Sequence, residues 1–455
     1  MPVDTPGQKL DNQQAHKVRP SREANASVSF LDDTWSWSSP FTWPLSIRLL
    51  PVPIACIVLF FGVYIQHFLY APSQHESCMA DFDYGIPIEK IEKLATSLAR
   101  HDWEQGAAAE ALLELYDPRF SVFASEPFPG GKVPGEGAEG TRALMFVLPE
   151  IRLGGDKLSN NTWGVSDPAS LGVYPILAAA DSEKTQQGNE YKQAVDRQAS
   201  YLTTVAPRYA NGAISHRATV AELWSDAIFM FPPFLAYHAI YSSRSPSATA
   251  GKLQQTVEQI KLYRDVLIIT EGANRGAWRH IVGPSEMADP GAWSTGNGWA
   301  AYGMVRVRAT LAGWSQGTAR LQREIASLDS WVAEIIDAAI RTDDHESGLL
   351  RNYLGDDTWF GEMAGTALVA AAAYRLASFL GTDSVRRGSY ITWADKKRDA
   401  VFAHVDTDGV AKPAVNSLKH AQREPLNGPN PEGESFLLLL AAAWRDCVCN
   451  GICSR

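Results

Sequence analysis

The segment DPGAWSTGNGWAAYGMVRVRATL, residues 289–311, passes from loop to helix within a few residues. Gly296 and Gly298 flank Asn297 ahead of a helix expected to start near Trp299, after which Ala300, Met304, Val307 and Leu311 recur at helical spacing. Trp293 and Trp299 bracket the turn. Glycines at such a place let the backbone turn tightly and approach a ligand. A capped helix start with two core tryptophans accounts for the same pattern, and both readings stay open at this point.

Outward from this segment the helical period repeats almost everywhere. Ile88, Ile91, Leu94 and Leu98 form one stripe, and others lie near 167–180, 187–205, 220–241, 250–269, 318–341, 362–380, 390–404 and 432–446. Alternating runs of the β type are scarce and short. Long loops rich in Gly, Pro, Asp and Trp separate the helices, notably 122–140, 271–298 and 343–361. Long structured loops in a helical domain tend to carry function. The expected fold is therefore all-α, a ring of helical hairpins with the long loops at one end.

Two further segments carry candidate acids. In AELWSDAIFMFPPFLAYHA (221–239), Asp226 lies among apolar residues, where lost solvation raises a carboxyl pKa toward the range of a general acid. A capping or paired acid is the structural alternative. Pro232 and Pro233 are expected to kink or end the first part of this helix. In TWGVSDPASLGVYPILAAA (162–180), Asp167 precedes Pro168, which is also the pattern of a helix N-cap with proline at the first helical position. His280 stands alone in its segment, AWRHIVG, as structural histidines often do. Trp163, Trp224, Trp278, Trp293, Trp299 and Trp359 track these polar clusters or the 343–361 loop. Aromatic faces beside carboxylates, amides and histidine suit a sugar or another ring-shaped ligand.

Composition bounds the rest. The formal net charge of −10 and the lack of a basic stripe argue against a nucleic-acid partner. The run Leu49–Tyr70 holds no Asp, Glu, Lys or Arg and matches the ~20 apolar residues of a membrane-crossing helix. Arg48 precedes it and Glu76, Asp81 and Asp83 follow it, so the positive-inside bias puts residues 1–48 in the cytoplasm and the body in the secretory lumen or outside. The expected organisation is a disordered tail (1–48), a single membrane helix (49–70), a stalk (71–84) and one domain (85–455). In an oxidising lumen Cys78, Cys447, Cys449 and Cys453 have three possible pairings, one of which ties the stalk to the C-terminus. A metal site on the C-terminal cysteines is disfavoured because no histidine stands near them. With this topology Asn160, in Asn160-Asn161-Thr162, is the glycosylation candidate, whereas Asn25 stays cytoplasmic.

The ordered set Trp163–Leu171, Asp226–Leu235, His280, Trp293–Trp299, Gly361–Leu368 and Pro431–Phe436 resembles the six-hairpin glycosidases. It is most similar to the unsaturated rhamnogalacturonyl and glucuronyl hydrolases of glycoside hydrolase families 105 and 88, over roughly residues 85–446. The resemblance implies an (α/α)6 barrel and a reaction needing neither metal nor cofactor. Asp226 would protonate the vinyl ether of a 4,5-unsaturated uronic acid and assist water addition at C5. Asp167 matches a second active-site aspartate, and His280, Trp293 and Trp299 match substrate contacts, with Asn297, Trp224 and Trp163 as further candidates. The chain departs from the family's Trp-x-Arg-Gly-x-x-Trp motif, for Thr295 stands where an arginine fork recognises the sugar. That loss and the anchor leave two alternatives: a membrane-tethered enzyme of small-molecule (secondary metabolite) biosynthesis using the same pocket for rearrangement or cyclisation, and a non-catalytic carbohydrate-binding protein.

Overall fold

A computed structural model describes residues 74–455 apart from residue 427. The run Leu49–Tyr70, the tail, Asn25 and Cys56 lie outside the described residues. Among the described residues no helix is long and apolar enough to cross a membrane.

Thirteen α-helices occur among the described residues: α1 (Gln74–Ala80), α2 (Ile88–Leu98), α3 (Asp102–Tyr116), α4 (Arg142–Val147), α5 (Val173–Asp181), α6 (Gln186–Ser200), α7 (Ala227–Ser242), α8 (Pro246–Leu267), α9 (Ser294–Gly313), α10 (Gln322–Arg341), α11 (Met363–Phe379), α12 (Val385–Ala403) and α13 (Pro431–Cys449). An inner ring closes as α3 packs on the 3-10 turn Asp167–Leu171 that leads into α5, then α7, α9, α11, α13 and back to α3. Each inner helix also packs on an outer one. The outer partners are α4, α6, α8, α10 and α12 in chain order, and α13 takes α2, which comes first in the sequence. This is the (α/α)6 arrangement.

Composition explains the two layers. The inner helix α11 is buried along almost its whole length, from Met363 to Ala377, and its alanines let neighbours approach closely. The outer helix α10 buries one stripe, including Ile325, Leu328, Val332 and Ile336, and leaves its polar face to water. Glycine permits close contacts in the ring, since a Cβ on Gly303 of α9 would collide with the Ile228 carbonyl of α7. Pro232 and Pro233 do not end their helix, because α7 runs through both. The carbonyl of Phe229, which Pro233 leaves without its usual donor, accepts from Arg306 Nη1 at 3.2 Å.

The stretch expected as a stalk forms α1 and packs on α13, with Phe82 buried against Trp444 (ring centroids 4.8 Å). Cys78 bonds to Cys449, and Cys447 to Cys453. Two short antiparallel ladders pin the long loops: β1 (Leu223–Trp224) with β2 (Ile281–Val282), and β3 (Leu350–Arg351) with β4 (Gly361–Glu362).

Candidate active site

The N-terminal ends of α3, α7, α9 and α13, together with the 3-10 turn at Asp167, surround a cavity of about 650 Å³. Helix N-termini carry partial positive charge, which favours acids and anions at this end.

The β1–β2 ladder sets the first pair of groups. It aligns Trp224 with Ile281, and the Ser225 amide donates to the His280 carbonyl at 2.9 Å. Asp226 follows at once as the N-cap residue of α7, yet its side chain makes no capping bond. It is only 6% exposed, and neither carboxyl oxygen has a hydrogen-bond partner. His280 Nε2 stands 3.3 Å from Asp226 Oδ2, a charge contact without hydrogen-bond alignment. The other ring nitrogen, Nδ1, meets Asp289 Oδ2 at 3.0 Å, and Tyr353 donates to the same oxygen at 2.5 Å. Burial works against charge on His280, but Asp226 and Asp289 outweigh it and raise its pKa to about 9.

The second acid is set by a loop. Asp167 opens the 3-10 turn behind Ser166 and is not the N-cap of an α-helix. Asn161 Nδ2 donates to its Oδ2 at 3.0 Å, while Oδ1 has no hydrogen-bond partner and lies 3.6 Å from His216 Nε2. Burial first, then the Asp102 carboxylate, raises the Asp167 pKa to about 7. Burial lowers His216 to about 4, so this imidazole is neutral at ordinary pH. It stacks on Trp224 at 4.6 Å, and Trp224 in turn meets His280 edge-on at 5.6 Å. An aromatic wall thus joins the two acids.

Asp226, Asp167, His280, Trp163, Trp224, Trp293 and Trp299 all line the cavity, and Asn160 stands on its rim. Asn297 does not. The helix starts at Ser294 rather than near Trp299, so Gly296-Asn297-Gly298 is helical and not a turn. Asn297 faces inward, where its side chain accepts from the Trp278 amide and donates to the carbonyls of Trp278 and Trp293. Gly296 is needed for space, since a Cβ there would strike Ser225 Oγ. Thr295 is also turned away from the cavity and donates to Glu362 Oε2 at 3.3 Å. Trp278 is fully buried, and Trp359 packs on Tyr353 outside the cavity wall.

Four groups escaped the sequence reading: His216, Asp289, His420 and Glu432. Glu432 lies in the first turn of α13, buried on the cavity wall with Oε1 unpartnered. Burial, then the Asp226 and Glu104 charges, raise its pKa well above the ordinary carboxyl value. His280, Asp289 and His420 offer ligand atoms within 4.8 Å of one another, a donor set suited to a divalent ion. In this structure Asp289 is satisfied by His280, by Tyr353 and by the amide of Gly291.

A family model described as Glycosyl Hydrolase Family 88 matches residues 174–440. Among solved structures, a possible member of glycoside hydrolase family 105 from Salmonella enterica shares 14% identity and a TM-score of 0.57, covering 80% of this chain and 95% of its own. A family 105 glycoside hydrolase from C. acetobutylicum has 12% identity and a TM-score of 0.57, covering 79% and 99%. The unsaturated glucuronyl hydrolase of Bacillus sp. GL1 has 14% identity and a TM-score of 0.52, covering 79% and 96%. No curated protein matches the chain. The chain belongs to glycosyl hydrolase family 88, and it is a glycosidase-like hydrolase.

Proposed function

We propose that this family 88 member hydrates the ring double bond of 4,5-unsaturated uronyl glycosides. The observation that carries the reading is Asp226, a buried carboxyl on the cavity wall that makes no hydrogen bond and whose Oδ2 lies 3.3 Å from His280 Nε2. Asp226 gives its proton to C4 of the vinyl ether, and positive charge develops at C5 and the ring oxygen. Water adds at C5 and returns a proton to Asp226. The hemiketal so formed opens by breaking the bond from C5 to the ring oxygen. C1 is then a hemiacetal that expels the aglycone as an alcohol, leaving a ketone at C5 and an aldehyde at C1. One water is consumed, and no oxidant or reductant is needed.

His280, held by Asp289, which Tyr353 fixes in turn, stabilises the carboxylate that Asp226 becomes. Asp167 keeps its proton up to about pH 7 and serves as a second hydrogen-bonding acid toward the sugar. Among the described residues Arg100 is the one arginine or lysine on the cavity wall. The uronate carboxylate therefore relies on His280, Arg100 and the helix N-termini in place of the motif arginine. Loss of the double-bond absorbance, followed with an unsaturated uronyl disaccharide and the full-length protein, tests the reaction. Unchanged absorbance at high enzyme concentration would refute it.

The membrane reading joins this proposal. The apolar run Leu49–Tyr70 supplies the anchor, and the disulfides suit a body in an oxidising compartment. An enzyme-sensitive glycan lost in Asn160→Gln supports that topology, and one lost in Asn25→Gln reverses it.

A further inference from the structure

Among the described residues the large exposed hydrophobic side chains are Met145, Trp163, Val205, Met287, Val385 and Leu418, and three of them line the active-site cavity: Trp163 (38% exposed), Met287 (37%) and Leu418 (64%). They come from three separate loops. Single exposed hydrophobics are ordinary, but a cluster around one opening marks a binding surface.

Local structure holds each in place. The side chain of Asn416 accepts from the Leu418 amide at 3.1 Å and caps the turn Ser417–Lys419, so the leucine is presented by a fixed backbone. Ser285 Oγ accepts from the Met287 amide at 3.2 Å. The Arg217 guanidinium lies over the Trp163 ring at 4.5 Å, and its Nη1 is 3.7 Å from Met287 Sδ. One cation thus braces the tryptophan and the thioether together. Trp103, also on the wall, stacks on His101 at 4.3 Å with the planes 4° apart.

We infer that this outer part of the cavity is an aglycone subsite for a flat apolar group, so that the leaving alcohol is aryl or fused-ring rather than a second sugar. A tryptophan alone would serve a sugar face equally well. The thioether of Met287 and the isobutyl group of Leu418 are what discriminate, because they offer hydroxyl groups no hydrogen bond and gain by covering an apolar surface. As to the reaction, the inference rests on the hydrolase proposed above; as to the subsite, it stands on these side chains.

The full-length protein is assayed with the 2-naphthyl glycoside of 4,5-unsaturated glucuronic acid and with the corresponding unsaturated disaccharide to glucose. The expected result is a kcat/KM about tenfold or more higher for the naphthyl glycoside, with the ratio collapsing toward one in Met287→Gln/Leu418→Gln. A preference for the disaccharide, or a ratio that survives in the double variant, overturns the inference. Calorimetric titration with free 2-naphthol separates it from the reaction. If neither glycoside is turned over, the hydrolase reading falls. Saturable naphthol binding that the double variant weakens still supports the subsite, and no binding by the wild type overturns it.

Discussion

The inner helices bury acids at both ends, and the two ends treat them oppositely. In the C-terminal halves every acid has an arginine. Arg306 pairs with Glu110 at 2.6 Å, and Arg375 spans Glu114 (2.5 Å) and Asp446 (2.6 Å). Tyr302 donates to Glu114 at 2.6 Å, while Arg445 grips Asp446 and the carbonyls of Glu114 and Leu115. At the N-terminal ends Asp167, Asp226 and Glu432 are as deeply buried and line the cavity, yet none has an arginine, whereas Glu114, whose Oε1 is also unpartnered, has one on its other oxygen. A buried charge without a partner costs several kcal/mol, so such groups persist where their proton is used. Pairing with arginine marks Glu110, Glu114 and Asp446 as acids that join helices, whereas Asp167, Asp226 and Glu432 face the cavity without one.

The largest test of that contrast is Asp226→Asn. The amide keeps the shape but carries no transferable proton, so turnover should fall roughly 100- to 10,000-fold while thermal melting barely moves. An active, normally stable variant would collapse the distinction between the two ends. The converse change is Arg375→Met, which strands Glu114 while Asp446 keeps Arg445, and it should cost about 3–5 kcal/mol in urea unfolding with turnover per folded molecule retained.

A smaller effect sharpens the contrast through pH. The folded-state pKa of Asp167, about 7, lies above the ordinary value of 3.8. The folded chain thus binds more protons than the unfolded one between these values, and this group's contribution to stability falls as pH rises through the window. Asp167→Asn should remove that fall, seen in denaturant midpoints at pH 5 and pH 8. It should also flatten any activity limb near pH 7, by about tenfold at most at pH 8. The smallest expected effect is that of chelation. Prolonged EDTA treatment should leave activity unchanged, because Asp289 is already held by His280 and Tyr353. Loss on chelation with recovery on adding zinc would make His280, Asp289 and His420 a metal site.

The sequence made the barrel readable because inner helices such as α11 are apolar all round while outer ones such as α10 carry a stripe. It also singled out Asp226, Asp167, His280 and the cavity tryptophans, whose segments are dense enough in unusual neighbours to stand out. Asn297 misled because Gly-Asn-Gly is turn chemistry in isolation. Only the closeness of Ser225 and Leu368 explains glycines inside a helix. His216, Asp289 and His420 are lone residues in loops, joined to the site by contacts across long stretches of chain. Nothing local distinguishes Glu432 from Glu114, since what separates them is an arginine on another helix.

The bond between Cys78 and Cys449 spans 371 residues of sequence, which turns the domain into a covalent circle. A single proteolytic cut in the 122–140 loop would open that circle without releasing a fragment, giving one band on a gel until thiol is added and two afterwards. The same bond decides where tension enters. A pull on the chain before Cys78 is delivered to α13 rather than to α2, and α13 is the helix that holds Glu432 against the cavity.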